Sequence, residues 1–257
     1  MSFKGFVDLD FSLKDKTALV TGSAGGIGKA IAQAFARKAA NLVLVDMSDT
    51  VRDVAKSLEG YGGTMVPVVE KLEDRASVQK IVREALERFL RIDVLVNNAG
   101  TSCVATALDF PEEEWDRILN LNLKMPFLLS QALGRHMIEK GGGKIINIAS
   151  QAALVAIESH LGYAASKAGL LSLTRNMALE WGPLGVNVNA ISPTVTLTEL
   201  ARLYWSGDRA ENMIQRIPLR RFAHPEEIAA AAVFLACDAS DMISGENLVI
   251  DGGYTIQ

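Results

Sequence analysis

The sequence has few of the residues that build disulfides and metal sites. Its 257 residues include two cysteines and three histidines. Cys103 and Cys237 lie far apart and without partners at ligand spacing, so we expect neither a disulfide framework nor a zinc site. The histidines, His136, His160 and His224, are equally scattered. We therefore expect a site without a metal ion.

A surplus of positive charge and long apolar runs are also missing. The chain has 26 Lys and Arg against 30 Asp and Glu, a formal net charge of -4. No basic cluster is interleaved with aromatics, so we expect no nucleic-acid partner. Apolar runs end well short of the roughly 20 residues that span a bilayer, and the N-terminal segment MSFKGFVDLDFSLKDK has no apolar block typical of a signal peptide. We expect no membrane association and a cytoplasmic location.

Short apolar runs alternate with helical stretches along the chain. With 49% hydrophobic residues, the chain can bury the core of one large α/β domain. Runs rich in Val, Ile and Leu predict strands buried on both faces; there are seven, namely KTALVTG, NLVLVD, TMVPVV, IDVLVNNAG, KIINIAS, VNVNAIS and ENLVIDGG. Helical periodicity predicts helices over 27–38, 51–59, 77–90, 112–139, 163–181 and 226–236.

This alternation predicts a doubly wound, seven-stranded parallel sheet, a Rossmann fold, with its ligand crevice beyond the carboxyl ends of the strands. We expect residues 1–257 to form a single domain. One interval, at about 193–223, breaks the rhythm between a strand and the next helix. Long inserted loops in compact domains usually serve function.

A glycine-rich turn follows the first predicted strand. In TGSAGGIG, Gly22, Gly26 and Gly28 fit the pattern TGxxxGxG. Such glycines permit a tight turn, let the backbone approach a pyrophosphate and let the following helix pack closely, while the helix start offers N–H groups to the anion. Glycine-rich turns also occur for steric reasons alone, but the place between a strand and a helix favours a dinucleotide site.

Asp46 ends the second predicted strand, about 20 residues beyond the glycines as the dinucleotide fingerprint requires. Its carboxylate can accept hydrogen bonds from both ribose hydroxyls and would repel a 2′-phosphate. No basic residue stands at Ser23, Ala24 or Met47 to offset that repulsion. We therefore predict NAD rather than NADP, the alternative for Asp46 being an ordinary strand-end or N-cap aspartate.

A serine, a tyrosine and a lysine are spaced so that they can meet. Tyr163 and Lys167 lie four residues apart in GYAASKAGL, which places them on one helix face. Ser150 ends the strand KIINIAS, thirteen positions before Tyr163. A buried ring with a lysine snorkelling past it would have the same spacing, but a shared crevice would bring a hydroxyl, a phenol and an ammonium together.

Those three groups suit the transfer of a proton from an alcohol. A phenol with a pKa of about 10 must reach about 7 to 8 to act as a base near neutrality. A nearby cation in a partly dry site lowers that pKa. We expect two such positive charges, one from Lys167 and one from an oxidised nicotinamide. Tyr163 would then take the alcohol proton as hydride departs, while Ser150 hydrogen-bonds the developing oxyanion.

The order of the motifs resembles that of the short-chain dehydrogenase/reductase family, and the resemblance covers the whole chain. The motifs that carry it are TGxxxGxG, Asp46, NNAG at 97–100, Ser150 and YxxxK. The resemblance implies a catalytic set of Asn122, Ser150, Tyr163 and Lys167, with Asn122 holding a water that links the lysine to solvent. It also implies a homotetramer. The expected cofactor-binding residues are Gly22, Gly26, Ile27, Gly28, Asp46, Leu72, Asn98, Ala99, Gly100, Tyr163, Lys167, Pro193, Thr196 and Thr198.

Three positions depart from the family pattern. Lys71 stands where family members commonly have an aspartate that accepts a hydrogen bond from adenine. A lysine cannot accept a hydrogen bond, so adenine contacts would rely on the backbone near Leu72. Pro-Thr at 193–194 replaces the usual Pro-Gly. Thr196 takes a position often filled by Val or Ile, while Thr198 matches the threonine that binds the carboxamide.

The stretch SPTVTLTELARLYW resembles the xylulose-reductase and polyol-dehydrogenase branch of the family. We expect a polyol and its ketose as substrates, bound by Gln151, Glu158, His160 and Trp205 because buried hydroxyls need partners. The apolar residues Leu197, Leu200, Leu203, Tyr204 and Trp205 could form a lid or simply cover the core. Two alternatives stay open, a reductase of 3-oxoacyl or other carbonyl substrates that uses NAD(P)H, and a non-catalytic NAD-binding sensor or scaffold.

Overall fold

The computed structural model describes residues 9–257, apart from the side chains of Leu200 and Leu203, which lie outside the described part. Seven strands form one sheet in the order β3-β2-β1-β4-β5-β6-β7. Every pairing is parallel. The strands are β1 (Thr17–Thr21), β2 (Asn41–Asp46), β3 (Met65–Val69), β4 (Val94–Asn97), β5 (Gly143–Ile148), β6 (Val186–Pro193) and β7 (Asn247–Ile250). The predicted fold class is confirmed.

Side chains of β1 show why these runs form a sheet covered on both faces. All five β1 residues are buried. Ala18 and Val20 belong to one hydrophobic cluster, and Leu19, between them, belongs to the cluster on the opposite face. Successive side chains of a strand point to opposite faces, so a continuously apolar strand requires a helical layer on each side.

The helices supply those two layers. They are α1 (Gly26–Arg37), α2 (Val51–Ser57), α3 (Arg75–Arg88), α4 (Glu112–Leu119), α5 (Met125–Glu139), α6 (Leu161–Trp181), α7 (Glu199–Tyr204), α8 (Gly207–Gln215) and α9 (Pro225–Ala236). The prediction of one regular helix over 112–139 was wrong, because a π-helical turn, Asn120–Lys124, separates α4 from α5. The insertion that begins after β6 contains α7 and α8, which the sequence did not resolve into helices.

The order of the strands places the ligand crevice. From β1 the chain proceeds outward to β2 and β3 on one side, then returns to add β4 to β7 on the other. Loops on the two sides therefore diverge beyond the carboxyl ends of β1 and β4, where open α/β sheets bind ligands. Within residues 9–257, no helix has both the length and the apolar character needed to cross a membrane.

Candidate active site

The turn between β1 and α1 has the geometry of an anion cradle. Gly22 has a φ of 67°, a conformation that favours glycine. A Cβ added at Gly28 would lie 2.1 Å from the carbonyl oxygen of Gly22, so α1 packs closely on the turn. The N-cap residue Gly25 gives α1 no side-chain cap, the first turn carries no acidic residue, and a Cβ at Gly25 would meet nothing within 4 Å. An anion could therefore approach the start of this helix.

Asp46 is fixed beside that turn. Its Oδ2 accepts from the backbone N–H of Ala24 at 3.0 Å, and its Oδ1 accepts from the N–H of Ser48 at 2.9 Å. The side chain is half-buried. Each carboxylate oxygen can accept a further hydrogen bond, so the carboxylate can still accept hydrogen bonds from ribose hydroxyls. Its role in binding the cofactor stays a prediction.

Two adjacent asparagines tie the neighbouring loops together at the end of β4. The amide of Asn98 donates to the carbonyl oxygens of Thr21 at 2.9 Å and Gly22 at 3.1 Å. Asn97 donates to Oγ of Ser130 and to Oδ1 of Asn147. The NNAG motif thus fixes the β1 turn against β4, while contacts of Asn98, Ala99 and Gly100 with a cofactor stay predictions.

Ser150, Tyr163 and Lys167 meet at the carboxyl end of β5. The hydroxyl of Ser150 forms a hydrogen bond with the Tyr163 phenol and accepts from the N–H of Ala152 at 3.1 Å. Nζ of Lys167 lies 5.6 Å from the centroid of the Tyr163 ring and donates to the carbonyl oxygen of Ile148 at 2.7 Å. The three predicted groups therefore converge, with the lysine held against the strand.

Burial changes the pKa of both ionisable groups. It lowers the pKa of Lys167, which is 4% exposed, to about 8. It also raises the pKa of the Tyr163 phenol above its ordinary value, and the hydrogen bond with Ser150 opposes that rise. Among the protein's own groups desolvation dominates. The lowering of the phenol pKa by Lys167 together with an oxidised nicotinamide stays a prediction.

Asn122 is buried in the π-helical turn, where its side chain fixes the surrounding backbone. Its Oδ1 accepts from the N–H of Thr101 at 2.8 Å, and its Nδ2 donates to the carbonyl oxygen of Thr101 at 2.8 Å and to Oγ of Ser166 at 3.1 Å. A Cβ at Gly100 would lie 3.3 Å from Oδ1 of Asn122 and 3.6 Å from Nζ of Lys167. The side chain therefore clamps the wall of the lysine pocket, and the water-holding role stays a prediction.

Thr101 and Ser166 are site residues that the sequence analysis missed. Ser166 is fully buried and donates to the carbonyl oxygen of Tyr163 at 2.7 Å. A small polar residue next to Lys167, on the buried side of a helix, was the available signal for it. Thr101 contributes only its backbone to the clamp, so no side-chain pattern could have indicated it.

The segment after β6 folds back over the glycine-rich turn. A Cβ at Gly26 would lie 3.1 Å from Cγ2 of Thr198, and Thr198 accepts from the N–H of Ala201 at 3.1 Å as the N-cap of α7. The Thr196 hydroxyl donates to the carbonyl oxygen of Thr194 at 3.0 Å. Thr198 thus lies next to the start of α1, while Pro193 ends β6 and Thr196 lies between them along the chain. Contacts of these three residues with a cofactor stay predictions.

The two residues that flank Leu72, whose backbone is predicted to contact adenine, form an ion pair. Nζ of Lys71 lies 2.6 Å from Oε2 of Glu73, and both side chains are exposed. Leu72 is partly buried against the core cluster that includes Val68 and Val78. Adenine contacts by the backbone near Leu72 stay a prediction.

The predicted substrate residues occupy different surroundings. The His160 ring lies 6.5 Å from the Tyr163 ring, and its Nδ1 lies 2.7 Å from the carbonyl oxygen of Glu158. A carbonyl oxygen only accepts, so Nδ1 carries the hydrogen and Nε2 of the neutral ring is an acceptor. Gln151 is 2% exposed, and its Oε1 has no hydrogen-bond partner. The Glu158 residue is exposed.

Trp205 is linked to His160 through the ring of Tyr204. Its ring stands 5.1 Å from that of Tyr204, which in turn lies 6.0 Å from His160. Trp205 and Leu197 pack against a core cluster made of Met213, Ile217, Phe222 and Tyr254. Of the proposed lid residues, these two therefore cover the core, and the side chains of Leu200 and Leu203 lie outside the described part.

Among the described residues, no group of three or more His, Cys, Asp or Glu side chains could hold a metal ion.

The family model described as enoyl-(acyl carrier protein) reductase matches residues 22–255. A match of this length identifies the family and leaves the substrate open.

Relatives and a solved structure extend over nearly the whole chain. The chain is 49% identical to the NAD-dependent glycerol dehydrogenase of Listeria innocua over 257 residues, 100% of each chain. It is 49% identical to the D-threitol dehydrogenase of Mycolicibacterium smegmatis over 252 residues, which cover 98% of this chain and 97% of that relative. A crystal structure of a short-chain type dehydrogenase/reductase from Mycobacterium marinum is 35% identical, has a TM-score of 0.91, and is matched over 96% of this chain and 98% of that one. The chain belongs to the short-chain dehydrogenase/reductase family.

Proposed function

We propose that this protein is an NAD-dependent dehydrogenase that interconverts a secondary alcohol and a ketone, with a polyol and its ketose as the substrate pair. The observation that carries this proposal is the convergence of the Ser150 hydroxyl, the Tyr163 phenol and the Lys167 ammonium. The two relatives at 49% identity, named for glycerol and D-threitol, support a polyol substrate.

The chain's residues fit a dinucleotide. The uncapped start of α1 and the open space at Gly25 suit a pyrophosphate. Asp46 would bind the adenosine ribose and repel a 2′-phosphate, which favours NAD. Thr196 and Thr198 would bind the carboxamide end, and Tyr163 and Lys167 the neighbouring ribose. When bound, NAD supplies a hydride acceptor.

As the phenolate, Tyr163 would accept the alcohol proton at its oxygen and become the phenol, and in the reverse direction the phenol would give that proton to the ketone oxygen and become the phenolate. The Ser150 hydroxyl would donate to the substrate oxygen as negative charge develops there. Lys167, held by the carbonyl oxygen of Ile148, would keep a positive charge beside the phenol. The presence of Tyr163 and Lys167 argues against a sensor or scaffold that has lost its chemistry.

We infer a homotetramer in the cytoplasm from the family resemblance. A groove of about 710 Å³ between the α4–α5 region and α6 is lined by apolar residues that a second copy of the chain could cover, including Leu119, Leu123, Phe127 and Leu173. Light scattering coupled to size-exclusion chromatography would measure the subunit number.

The test of function is absorbance at 340 nm with NAD or NADP against a panel of sugar alcohols. We expect NAD reduction with at least one polyol and little activity with NADP. Turnover that requires NADPH and a 3-oxoacyl thioester would instead support the carbonyl-reductase alternative. Binding of NAD without turnover of any alcohol would support a sensor.

A further inference from the structure

A second segment of the chain positions the residues that follow β6. We call residues 194–198 the β6 exit segment. The N–H of Leu197 donates to the carbonyl oxygen of Ala223 at 2.9 Å, and the N–H of Ala223 donates to the carbonyl oxygen of Val195 at 3.0 Å. The β6 exit segment is thus paired with residues just before α9, and its position depends on theirs.

One carboxylate fixes those residues to α9. Nη1 and Nη2 of Arg221 donate hydrogen bonds to Oε2 and Oε1 of Glu227 at 2.7 and 2.6 Å. We call this bidentate ion pair between Arg221 and Glu227 the fork. Oε2 of Glu227 also accepts from the N–H of His224 at 2.8 Å at the start of the helix. These bonds lower the pKa of Glu227 to about 2, so the carboxylate is charged over the working pH range.

Packing leaves a gap where this ion pair stands. A cavity of about 70 Å³ is lined by Thr194 of the exit segment, by Ala223, Ile250 and Gly252, and by Arg221 and Glu227 themselves. The Thr194 hydroxyl is buried and has no hydrogen-bond partner. Side-chain packing therefore supports the exit segment weakly at this point, and the hydrogen bonds carry more of its positioning. Ion pairs at the surface usually contribute little, but paired Arg–carboxylate geometry is the exception.

We propose that Arg221 and Glu227 are positioning residues that hold the β6 exit segment in place for Thr196 and Thr198 to bind the carboxamide end of NAD. The Arg221 fork fixes the backbone at 221–223, and the bonds of Ala223 transmit that position to Leu197. This inference rests on the proposed function, because it takes the exit segment as part of the cofactor site.

Three variants test the proposal. Glu227→Gln keeps an acceptor for the helix start but removes the charged fork. Arg221→Lys keeps the charge without the fork. Glu226→Gln is the matched control, because Glu226 is an exposed carboxylate in the same first turn. Each variant is measured without added nucleotide by hydrogen exchange at Leu197 and Ala223, by NAD titration of tryptophan fluorescence, and by thermal unfolding.

For Glu227→Gln and Arg221→Lys we expect exchange at Leu197 and Ala223 to quicken about tenfold, the scale of losing one charged hydrogen bond, and NAD affinity to fall about fivefold or more. Glu226→Gln should leave both unchanged. Wild-type exchange rates in the two fork variants would overturn the proposal. A lower melting temperature with unchanged NAD affinity would also overturn it, since the pair would then be only structural.

The outcome can be told apart from failure of the proposed function. If wild-type protein binds NAD but oxidises no alcohol, the proposed function fails while the exchange and affinity measurements still decide the role of the fork. If exchange quickens but NAD affinity is unchanged, the fork holds the segment, and the inferred link to the cofactor is wrong.

Discussion

Burial of Lys167 should destabilise the folded protein at neutral pH. The pKa of this lysine is about 8 in the folded chain against an ordinary value of 10.5. A difference of about 2.5 corresponds to about 3 kcal/mol at about pH 7, where both forms of the chain hold the proton. Lys167→Met removes the cost of burying this charge with a side chain of similar length, and it also removes the hydrogen bond from the charged lysine to Ile148, worth about 2 kcal/mol. We expect the variant to be about 1 kcal/mol more stable.

The pH dependence is the sharper signature. Between about pH 8 and 10.5 the unfolded lysine binds a proton that the folded one has released, so wild-type stability rises with pH in that window. At about pH 9.5 the unfavourable contribution of the buried lysine falls to about 1 kcal/mol. Relative to Lys167→Met, the wild type should therefore gain about 2 kcal/mol between about pH 7 and about pH 9.5.

Urea unfolding followed by tryptophan fluorescence, at equal protein concentration and at both pH values, measures this gain. Lys56→Met, at an exposed lysine of α2, is the control, and its difference from wild type should be equal at the two pH values. The reasoning is refuted if Lys167→Met differs from wild type by the same free energy at both pH values, or if the variant becomes relatively more stable as pH rises.

Three further predictions concern single residues. Tyr163→Phe should keep the fold and still bind NAD, with a small loss of affinity from the missing ribose contact, but lose at least about a hundredfold in kcat; turnover near the wild-type rate would remove the mechanism. Asp46→Asn should reduce the preference for NAD over NADP about tenfold or more in fluorescence titrations, and an unchanged ratio would refute the role of Asp46. Burial lowers the pKa of His136, whose Nε2 accepts from the N–H of Ile92. Its stabilisation is complete above about pH 6.5 and is lost as pH falls, so urea midpoints of His136→Gln should fall less on acidification than those of wild type; equal falls would contradict this.

The sheet could be predicted because its strands carry a local signal. Each run was short, rich in Val, Ile and Leu, and bounded by turn residues, which is typical of parallel strands because parallel sheets are covered on both faces. The π-helical turn at Asn120–Lys124 could not be predicted in this way. Helical periodicity tolerates one extra residue, and the bonds that hold Asn122 run to Thr101 and Ser166, far along the chain.

The proximity of the groups in the candidate site was predicted from the sequence, but the burial of its ionisable groups was not. Spacing on one helix face correctly placed Lys167 near Tyr163. Spacing carries no information on burial, which sets the pKa of both groups. The Arg221–Glu227 pair escaped prediction for a related reason, because it bridges the entry to α9 rather than one helix face, and no periodic rule pairs residues six apart.

The two pKa changes at the site have opposite directions, and together they limit how Tyr163 can work. Burial disfavours the phenolate and the ammonium taken one at a time. In the proposed mechanism, a phenolate beside the ammonium would offset part of the cost of burying either charge. The hydrogen bond from Lys167 to Ile148 favours the charged lysine and keeps it from turning toward solvent. If Tyr163 acts as proposed, its phenolate would depend on a charged lysine beside it, so the anchor of Lys167 on β5 would matter to the chemistry as well as its distance from the ring.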